Sequence, residues 1–299
     1  MRIDPNNVPT ILADMQQSQV SLNTALQQVS TGKRVTQPSD DPYASATMVQ
    51  NTIETGDVDQ YTQNASTVLS NIQSADSALS SVVSSLTQAI SLGTEGANGT
   101  NSTANLQVIA TQVQGLLTSV VGQANTSVAG SYLFGGTSTA TPYTADPSSP
   151  TGYTYNGNND VNSVAIGDQT SVQVNVPGSQ IFSNSSNNVL ASLSNLVTAL
   201  KSGNSTDIGN ATTAISSAIS YIGQQRVVYG NAESQVNSQE TFLQQDTVTL
   251  ASQQNNLIGV DEATAAVNLS QAETDNSAAL AAAAKVLPNS LLNYLSPPS

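Results

Sequence analysis

The chain has 299 residues and a formal net charge of −14, and it contains neither cysteine nor histidine. The lack of thiols and imidazoles excludes disulfides, zinc sites built on those groups and catalytic dyads or triads that use histidine, and no cofactor is expected. Only six residues are basic, with none between Arg34 and Lys201, so binding to nucleic acid or to an anionic membrane is not expected.

The first predicted element is a helix with a narrow apolar seam. Its seam residues follow heptad spacing: Val8, Ile11, Met15, Leu22 and Val29. A seam this narrow requires only one or two helical partners. The polar, proline-bearing residues before it contain no hydrophobic signal core. If the protein is secreted, we therefore expect export without a cleaved signal peptide.

The segment after this helix reads STGKRVTQPSDDP and predicts a helix end, a short extended connector and a new helix start. Gly32 can adopt the left-handed conformation that ends a helix, and the cations Lys33 and Arg34 lie where the helix dipole favours positive charge. Asp41 is the predicted N-cap of the next helix, and Pro42 is its predicted first residue.

Two long proline-free stretches, residues 43–141 and 178–287, predict long antiparallel helices. In the first stretch the main apolar row is Val58, Ala65, Ile72, Leu79 and Leu86. The glycine cluster Gly93–Gly99 predicts a break before a returning helix that ends near Gly130. In the second stretch the row is Ile208, Ile215, Ile222, Tyr229, Val236, Leu243, Leu250 and Leu257.

The stretch between Pro142 and Pro177 is the part of the chain that predicts β-structure. Apolar and polar residues alternate over Ser171–Val176, as in a half-buried strand. The sequence NGNND after Tyr155 and the pair Gly167–Asp168 are turn signals. We expect three to five strands in a small domain inserted between two helical halves.

The predicted fold is therefore mainly α, with a small inserted β-rich domain. Its N- and C-terminal halves form a long antiparallel helical bundle with heptad packing. The predicted division is a terminal helical assembly domain (1–37 and 257–299), a rod-like helical bundle domain (38–137 and 185–256) and an outer β domain (138–184). The last helix is alanine-rich and is predicted from about Asp261 to Val286.

Three motifs resemble those of one family of bacterial flagellar proteins. The connector TGKRVTQPSDDP, the block GSYLFGGT (130–137) and the C-terminal SLLNYL (290–295) are similar to the FlgL-type hook-filament junction proteins, or third hook-associated proteins, of the flagellin superfamily. Together the motifs lie at both ends and in the middle of the chain. The sequence LPN (287–289) instead resembles the ending of flagellins, so a flagellin filament subunit stays open as an alternative.

The resemblance implies a structural, non-enzymatic component of the bacterial flagellum. It implies a homo-oligomeric ring at the extracellular hook-filament junction, between the first hook-associated protein and flagellin, where the ring acts as a mechanical adaptor in motility. It also implies a cytoplasmic export chaperone that holds the C-terminal region before secretion. The heptads and the β insertion alone are also compatible with a secreted coiled-coil adhesin, which is a second alternative.

The terminal helices carry the candidate assembly residues, because a lone helix pair cannot cover its own apolar stripes. The predicted interface comprises Val8, Ile11, Met15, Leu22, Val29, Leu280, Leu287, Leu291, Leu292 and Leu295. The connector motif comprises Gly32, Lys33, Arg34, Pro38, Asp41 and Pro42. The paired carboxylates at 40–41, 57–59 and 261–262 are interpreted as residues at helix starts, where they complement the dipole, and not as catalytic acids and bases.

Overall fold

The computed structural model describes the backbone of residues 7–295 and the side chains of residues 9–285. The helices in this part of the chain are α1 (Asn7–Thr31), α2 (Pro42–Gly96), α3 (Thr103–Ala124), α4 (Gly178–Ile181), α5 (Val189–Ser202), α6 (Ser205–Ile258) and α7 (Glu262–Leu295). The strands are β1 (Ser127–Val128), β2 (Ser131–Tyr132), β3 (Tyr143–Ala145), β4 (Tyr153–Tyr155), β5 (Ser163–Ala165) and β6 (Ser171–Gln173). Long helices with small antiparallel hairpins between them confirm the predicted fold class. Of the described helices, none is sufficiently long and apolar to cross a bilayer.

The start and stop signals of the connector are confirmed. Gly32 has a φ of +66° directly after α1, which is the left-handed conformation expected of a glycine that ends a helix. At the start of α2, Asp41 Oδ1 accepts a hydrogen bond from the Ala44 amide at 3.0 Å. Pro42 is the first residue of α2. Local sequence alone therefore determines where α1 ends and α2 begins.

The predicted break within Gly93–Gly99 is confirmed, because α2 ends at Gly96 and α3 begins at Thr103, although Gly93 itself is still helical. An isolated glycine costs a helix only about 1 kcal/mol relative to alanine, and tertiary packing offsets a cost of that size. A Cβ on Gly93 would lie 2.5 Å from Thr212 Oγ1, and one on Gly96 would lie 2.3 Å from Leu200 Cδ2. These glycines therefore allow α2 to approach α5 and α6 closely.

The end of α7 also differs from the prediction. The sequence predicts an end near Val286, whereas α7 runs to Leu295 and includes Pro288. A proline inside a helix removes one main-chain hydrogen bond. The leucines that follow it are good helix formers, which favours continuation of the helix beyond that position.

The chain divides into two compact units. Unit 1 comprises Met1–Asp57 and Asp246–Ser299, and unit 2 comprises Val58–Gln245. Unit 1 holds α1, α7, the start of α2 and the end of α6. Unit 2 holds the remaining elements. The three-domain division expected from the sequence is a different partition, and it stays a prediction.

Unit 2 is built around one hydrophobic core that the heptad rows supply. In α2, Ala65, Ile72, Leu79 and Leu86 are fully buried, and α6 contributes Ile208, Ile215, Ile222 and Val236 to the same cluster. Helices α3 and α5 pack against each other and add most of their apolar residues to it. A bidentate ion pair also joins α2 to α6, with Arg226 Nε 2.7 Å from Asp76 Oδ1 and Arg226 Nη2 2.9 Å from Asp76 Oδ2.

The β-structure consists of separate two-stranded antiparallel sheets, in which β1 pairs with β2, β3 with β4 and β5 with β6. The four strands from β3 to β6 agree with the three to five expected. Gly167–Asp168 forms the turn between β5 and β6, as predicted. The NGNND sequence does not close a hairpin. It links β4 to β5, which belong to different sheets, because Asn158 instead bonds to Thr137 in the loop after β2.

Aromatic side chains attach these hairpins to the helical core. The rings of Phe134 and Phe182 pack edge to face, with 5.2 Å between their centroids, and the rings of Tyr143 and Phe182 do so with 6.0 Å between theirs. The Tyr143 hydroxyl donates to Gly178 O at 2.8 Å, and the buried Tyr229 hydroxyl of α6 accepts from the Val176 amide at 3.1 Å. Burial raises the pKa of both tyrosine hydroxyls, so they act as neutral hydrogen-bonding groups.

Candidate subunit-assembly surface

Helices α1 and α7 pack against each other in unit 1. They run antiparallel, because the end of α1 and the start of α7 meet at a β-bridge between Lys33 and Gly259. On α1 the contact is lined by Ala25, which is buried, and by half-buried larger residues. On α7 it is lined by buried alanines: Ala265, Ala272 and Ala283. The small side chains of α7 allow α1 to come close to it.

The structure places the predicted interface residues in two environments. Ile11, Met15 and Leu22 are half-buried and face α7. Val29 and Leu280 remain exposed, at 44% and 50% of their full accessible surface. The predicted residues Val8, Leu287, Leu291, Leu292 and Leu295 lie outside the residues whose side chains the structure describes. Their role in the interface stays a prediction.

Sequence reasoning missed a second set of apolar residues on the same helices. Leu12, Val20 and Leu26 on α1 and Val267 on α7 are exposed large hydrophobic side chains. Leu12 and Leu26 lie on one heptad row whose middle position is Gln19. Because Gln19 is polar, this row is not continuously apolar, and the heptad pattern of the sequence does not identify it. The α1–α7 pair therefore presents apolar surface beside its own contact, as expected of a helix pair that needs further partners.

The connector is tied to the end of α6 by main-chain hydrogen bonds. The Arg34 amide donates to Ile258 O at 2.6 Å, and the Val260 amide donates to Gly32 O at 3.1 Å. These two bonds flank the Lys33–Gly259 bridge and hold the outgoing and returning chain side by side. Val35, Ala44 and Ile258 form a small hydrophobic cluster next to it, with Met48 and Leu257 packed around them.

Polar side chains complete this junction. Arg34 Nη2 donates to Asp41 Oδ2 at 3.1 Å and to Leu257 O at 3.0 Å, so it links α2 to α6. Asp40 Oδ2 accepts from the amides of Thr36 and Gln37, both at 2.9 Å. Pro38 lies inside the turn that this carboxylate closes. The second half of the connector therefore forms a turn, whereas the sequence predicts an extended segment throughout.

These hydrogen bonds lower the pKa of both carboxyl groups from the ordinary value of 3.8. For Asp40 the main cause is the Thr36 amide, followed by the Gln37 amide. For Asp41 it is the Ala44 amide, followed by Arg34. A carboxyl group with a depressed pKa stabilises the folded state above its unfolded pKa. This contribution is therefore lost only as the pH falls below about 3.8 and through the depressed values.

We expect the variant Arg34→Ala to loosen the connector without unfolding unit 1. Loss of both Arg34 hydrogen bonds removes the side-chain link between α2 and α6, but the main-chain bridge remains. The main-chain amides of residues 34 and 260 are expected to exchange their hydrogens about two- to fivefold faster than in the unmodified protein. An effect of this size corresponds to the small free energy of an exposed ion pair. Hydrogen exchange measured by mass spectrometry or NMR would test this.

Lys33→Ala is the matched control for this variant, because it removes the neighbouring positive charge. Lys33 forms no ion pair with the residues whose side chains are described. Unchanged exchange in Arg34→Ala, or an equal increase in both variants, would contradict a specific role of Arg34.

The predicted placement of the carboxylate pairs at helix starts is confirmed for two pairs and wrong for the third. Asp41 and Asp261 cap α2 and α7, as the sequence indicates; Asp261 Oδ1 accepts from the Thr264 amide at 2.8 Å. The placement of Asp57 and Asp59 at a helix start is wrong, since both lie inside α2, which begins fifteen residues before Asp57 at Pro42. The described residues include no group of three or more acidic side chains that could hold a metal ion.

Comparisons with known proteins agree with this architecture. The model of the bacterial flagellin N-terminal helical region matches residues 7–139, and that of the bacterial flagellin C-terminal helical region matches residues 212–295. The flagellar hook-associated protein 3 of Escherichia coli K12 is 34% identical over 116 residues, which are 38% of this chain. The matched segment spans 37% of the length of that relative.

Solved structures of flagellar proteins share the fold. A flagellar hook-associated protein from Vibrio parahaemolyticus superposes with a TM-score of 0.68 at 19% identity, covering 74% of this chain and all of that one (100%). The flagellar junction protein FlgL from Legionella pneumophila gives a TM-score of 0.60 at 14% identity, over 71% of this chain and 100% of its own. With family models matching both helical ends, the chain belongs to the flagellin superfamily of bacterial flagellar proteins.

Proposed function

We propose that this protein is a structural subunit of the hook-filament junction of the bacterial flagellum. It would join the hook, through the first hook-associated protein, to the flagellin filament and act as a mechanical adaptor in motility. The curated relative described above is named flagellar hook-associated protein 3, and one solved structure of the same fold is named a flagellar junction protein. These names support the junction over the filament within the superfamily.

The observation that carries an assembly role is the α1–α7 pair. Its two helices cover only one side of each other, and large aliphatic residues stay exposed on both: Leu12, Val20, Leu26, Val29, Val267 and Leu280. Burying one such side chain stabilises a complex by about 1.5–3 kcal/mol. Surrounding copies of the same pair would bury these residues, so a ring of subunits accounts for a surface that a monomer leaves open.

The remaining parts of the proposal follow from the same role. The protein would act without catalysis, be exported to the extracellular flagellum without a cleaved signal peptide, and form a homo-oligomeric ring in contact with the first hook-associated protein and with flagellin. A cytoplasmic export chaperone would hold the C-terminal region before export. The terminal helices would form the assembly domain, and residues 138–184 would form the outer β domain.

The location of the protein in intact flagella tests the proposal. Immunogold electron microscopy with an antibody against residues 138–184 is expected to place gold in a narrow band at the boundary between hook and filament. Gold along the whole filament would identify a flagellin instead. Gold confined to the cell body would overturn the flagellar role and favour a secreted adhesin.

A further inference from the structure

The loop between α2 and α3 contains an asparagine followed by glycine, Asn98–Gly99, and both residues are exposed. A Cβ built on Gly99 would meet no atom within 4 Å, so the space around this residue is open. The main-chain nitrogen of Gly99 makes no hydrogen bond to the described residues. It is therefore a nitrogen with no competing partner, located next to a side-chain amide carbon.

The side-chain carbonyl of Asn98 is polarised by its neighbour. Its Oδ1 accepts from Thr100 Oγ1 at 3.1 Å and from the Thr100 amide at 3.4 Å. When a nucleophile attacks an amide carbon, negative charge develops on the oxygen, and donors already aimed at that oxygen stabilise the transition state. Thr100 thus supplies two donors at the atom where charge would develop.

A second Asn–Gly pair in the chain, Asn156–Gly157, has different surroundings. Asn156 Nδ2 donates to Thr144 Oγ1 at 2.8 Å, and the Asn156 amide donates to Pro142 O at 2.7 Å. Gly157 is packed against other atoms, since a Cβ on it would lie 2.4 Å from Tyr155 Cζ. The Asn98 amide is also bonded, to Glu95 O at 3.2 Å, so the two pairs differ at the side-chain amide nitrogen and at the glycine. Because Asn156 Nδ2 is bonded and Gly157 is packed against Tyr155, ring closure at Asn156 requires local opening of this region.

We propose that Asn98 is a site of spontaneous deamidation, activated by Thr100. The Gly99 nitrogen attacks Asn98 Cγ, a C–N bond forms, the side-chain amide leaves as ammonia, and the Gly99 amide proton passes to that leaving group by way of water. The cyclic imide that results is opened by a water molecule at either carbonyl, which gives aspartate or isoaspartate. The net reaction consumes one water and releases one ammonia, and it needs no oxidant or cofactor.

The product changes the electrostatics of this loop. A new carboxylate would lie just beyond the end of α2, where the helix dipole disfavours negative charge, and close in sequence to Glu95. Asn101 Nδ2 now bonds to the carbonyls of Glu95 and Asn98 at 2.6 and 3.3 Å, and isoaspartate would shift the second of these by lengthening the main chain. We therefore expect deamidation to loosen the link between α2 and α3.

Peptide mapping by mass spectrometry after incubation of the full-length protein in mildly alkaline buffer tests the proposal. In the folded protein, Asn98 is expected to deamidate at least about tenfold faster than Asn156, equivalent to ~1.4 kcal/mol in activation free energy. In denaturant the two sites are expected to react at similar rates, because the difference arises from the fold. Equal rates at both sites in the folded protein would overturn the proposal.

Three variants test the attack by the Gly99 nitrogen and the activation by Thr100 separately. Gly99→Ala meets no atom that would hinder folding and is expected to slow the reaction at Asn98 strongly, because the methyl group obstructs ring closure. Thr100→Ala is expected to slow it several-fold by removing the hydroxyl donor. Thr144→Ala is the matched control, which should leave Asn98 unchanged and accelerate Asn156. An unchanged rate at Asn98 in both of the first two variants would contradict the mechanism.

Discussion

Deletion of residues 1–30 is expected to abolish incorporation of the protein into flagella and to leave cells that depend on this copy unable to swim. The deletion removes α1, so α7 loses its intrachain partner and the buried alanines of its seam become exposed. Unit 2 keeps its whole core, because none of that core comes from α1. Motility assays together with circular dichroism of the purified truncated chain would measure both effects, and normal incorporation of the truncated chain would contradict the assembly role.

A deletion of this size could also block export, so a double variant provides a sharper version of the same test. Leu12→Glu with Leu26→Glu adds charge to exposed positions, at 55% and 45% of their full accessible surface, and should therefore fold normally. We expect the variant to be exported and released into the medium without joining hook to filament. Gln19→Glu is the control for charge, since it adds one negative charge, where the double variant adds two, on the same heptad row without removing a leucine.

The variant Phe182→Ala is expected to lower the free energy of unfolding of unit 2 by about 3–5 kcal/mol. Phe182 is fully buried, and its ring contacts both Phe134 and Tyr143, which connect the hairpins to the helices. The cavity left behind cannot be filled by the rigid aromatic neighbours. Urea denaturation followed by tyrosine fluorescence would detect the change, because four tyrosines lie in the hairpin strands: Tyr132, Tyr143, Tyr153 and Tyr155.

The chain contains its own control for this substitution. Phe242 of α6 is 61% exposed, so Phe242→Ala should change the free energy of unfolding by less than about 0.5 kcal/mol. Similar losses in the two variants would show that the effect comes from removing any phenylalanine. That result would contradict the aromatic attachment of the hairpins.

The helical part of the fold could be predicted because its signals are local or periodic. The heptad rows of α2 and α6 are buried almost throughout, since a regular apolar row on a long helix leaves few alternative packings. Gly32 and Asp41 end and begin helices through their own backbone and side-chain preferences. Such preferences act within a few residues and do not depend on the rest of the chain.

The candidate surface could be predicted only in part. The seam with Ile11, Met15 and Leu22 was visible as a pattern, but that pattern marks the face that α7 covers. The apolar residues left exposed, Leu12 and Leu26 among them, become apparent only when α7 is in place. Which apolar residues remain uncovered depends on the width of the partner helix, and the alanine seam of α7 covers a narrow strip.

By itself the sequence determined the helical class, the positions of the connector and its caps, the family resemblance and the absence of thiol and imidazole chemistry. Tertiary structure decided that Gly93 and Gly96 serve close helix packing, that NGNND links two sheets, and that Arg34 reaches a carbonyl 223 residues away. The physical reason is the distance along the sequence over which each interaction acts. Caps and heptads act through neighbouring residues, whereas the contacts of a glycine, a loop or an arginine depend on which distant segment the fold brings beside it.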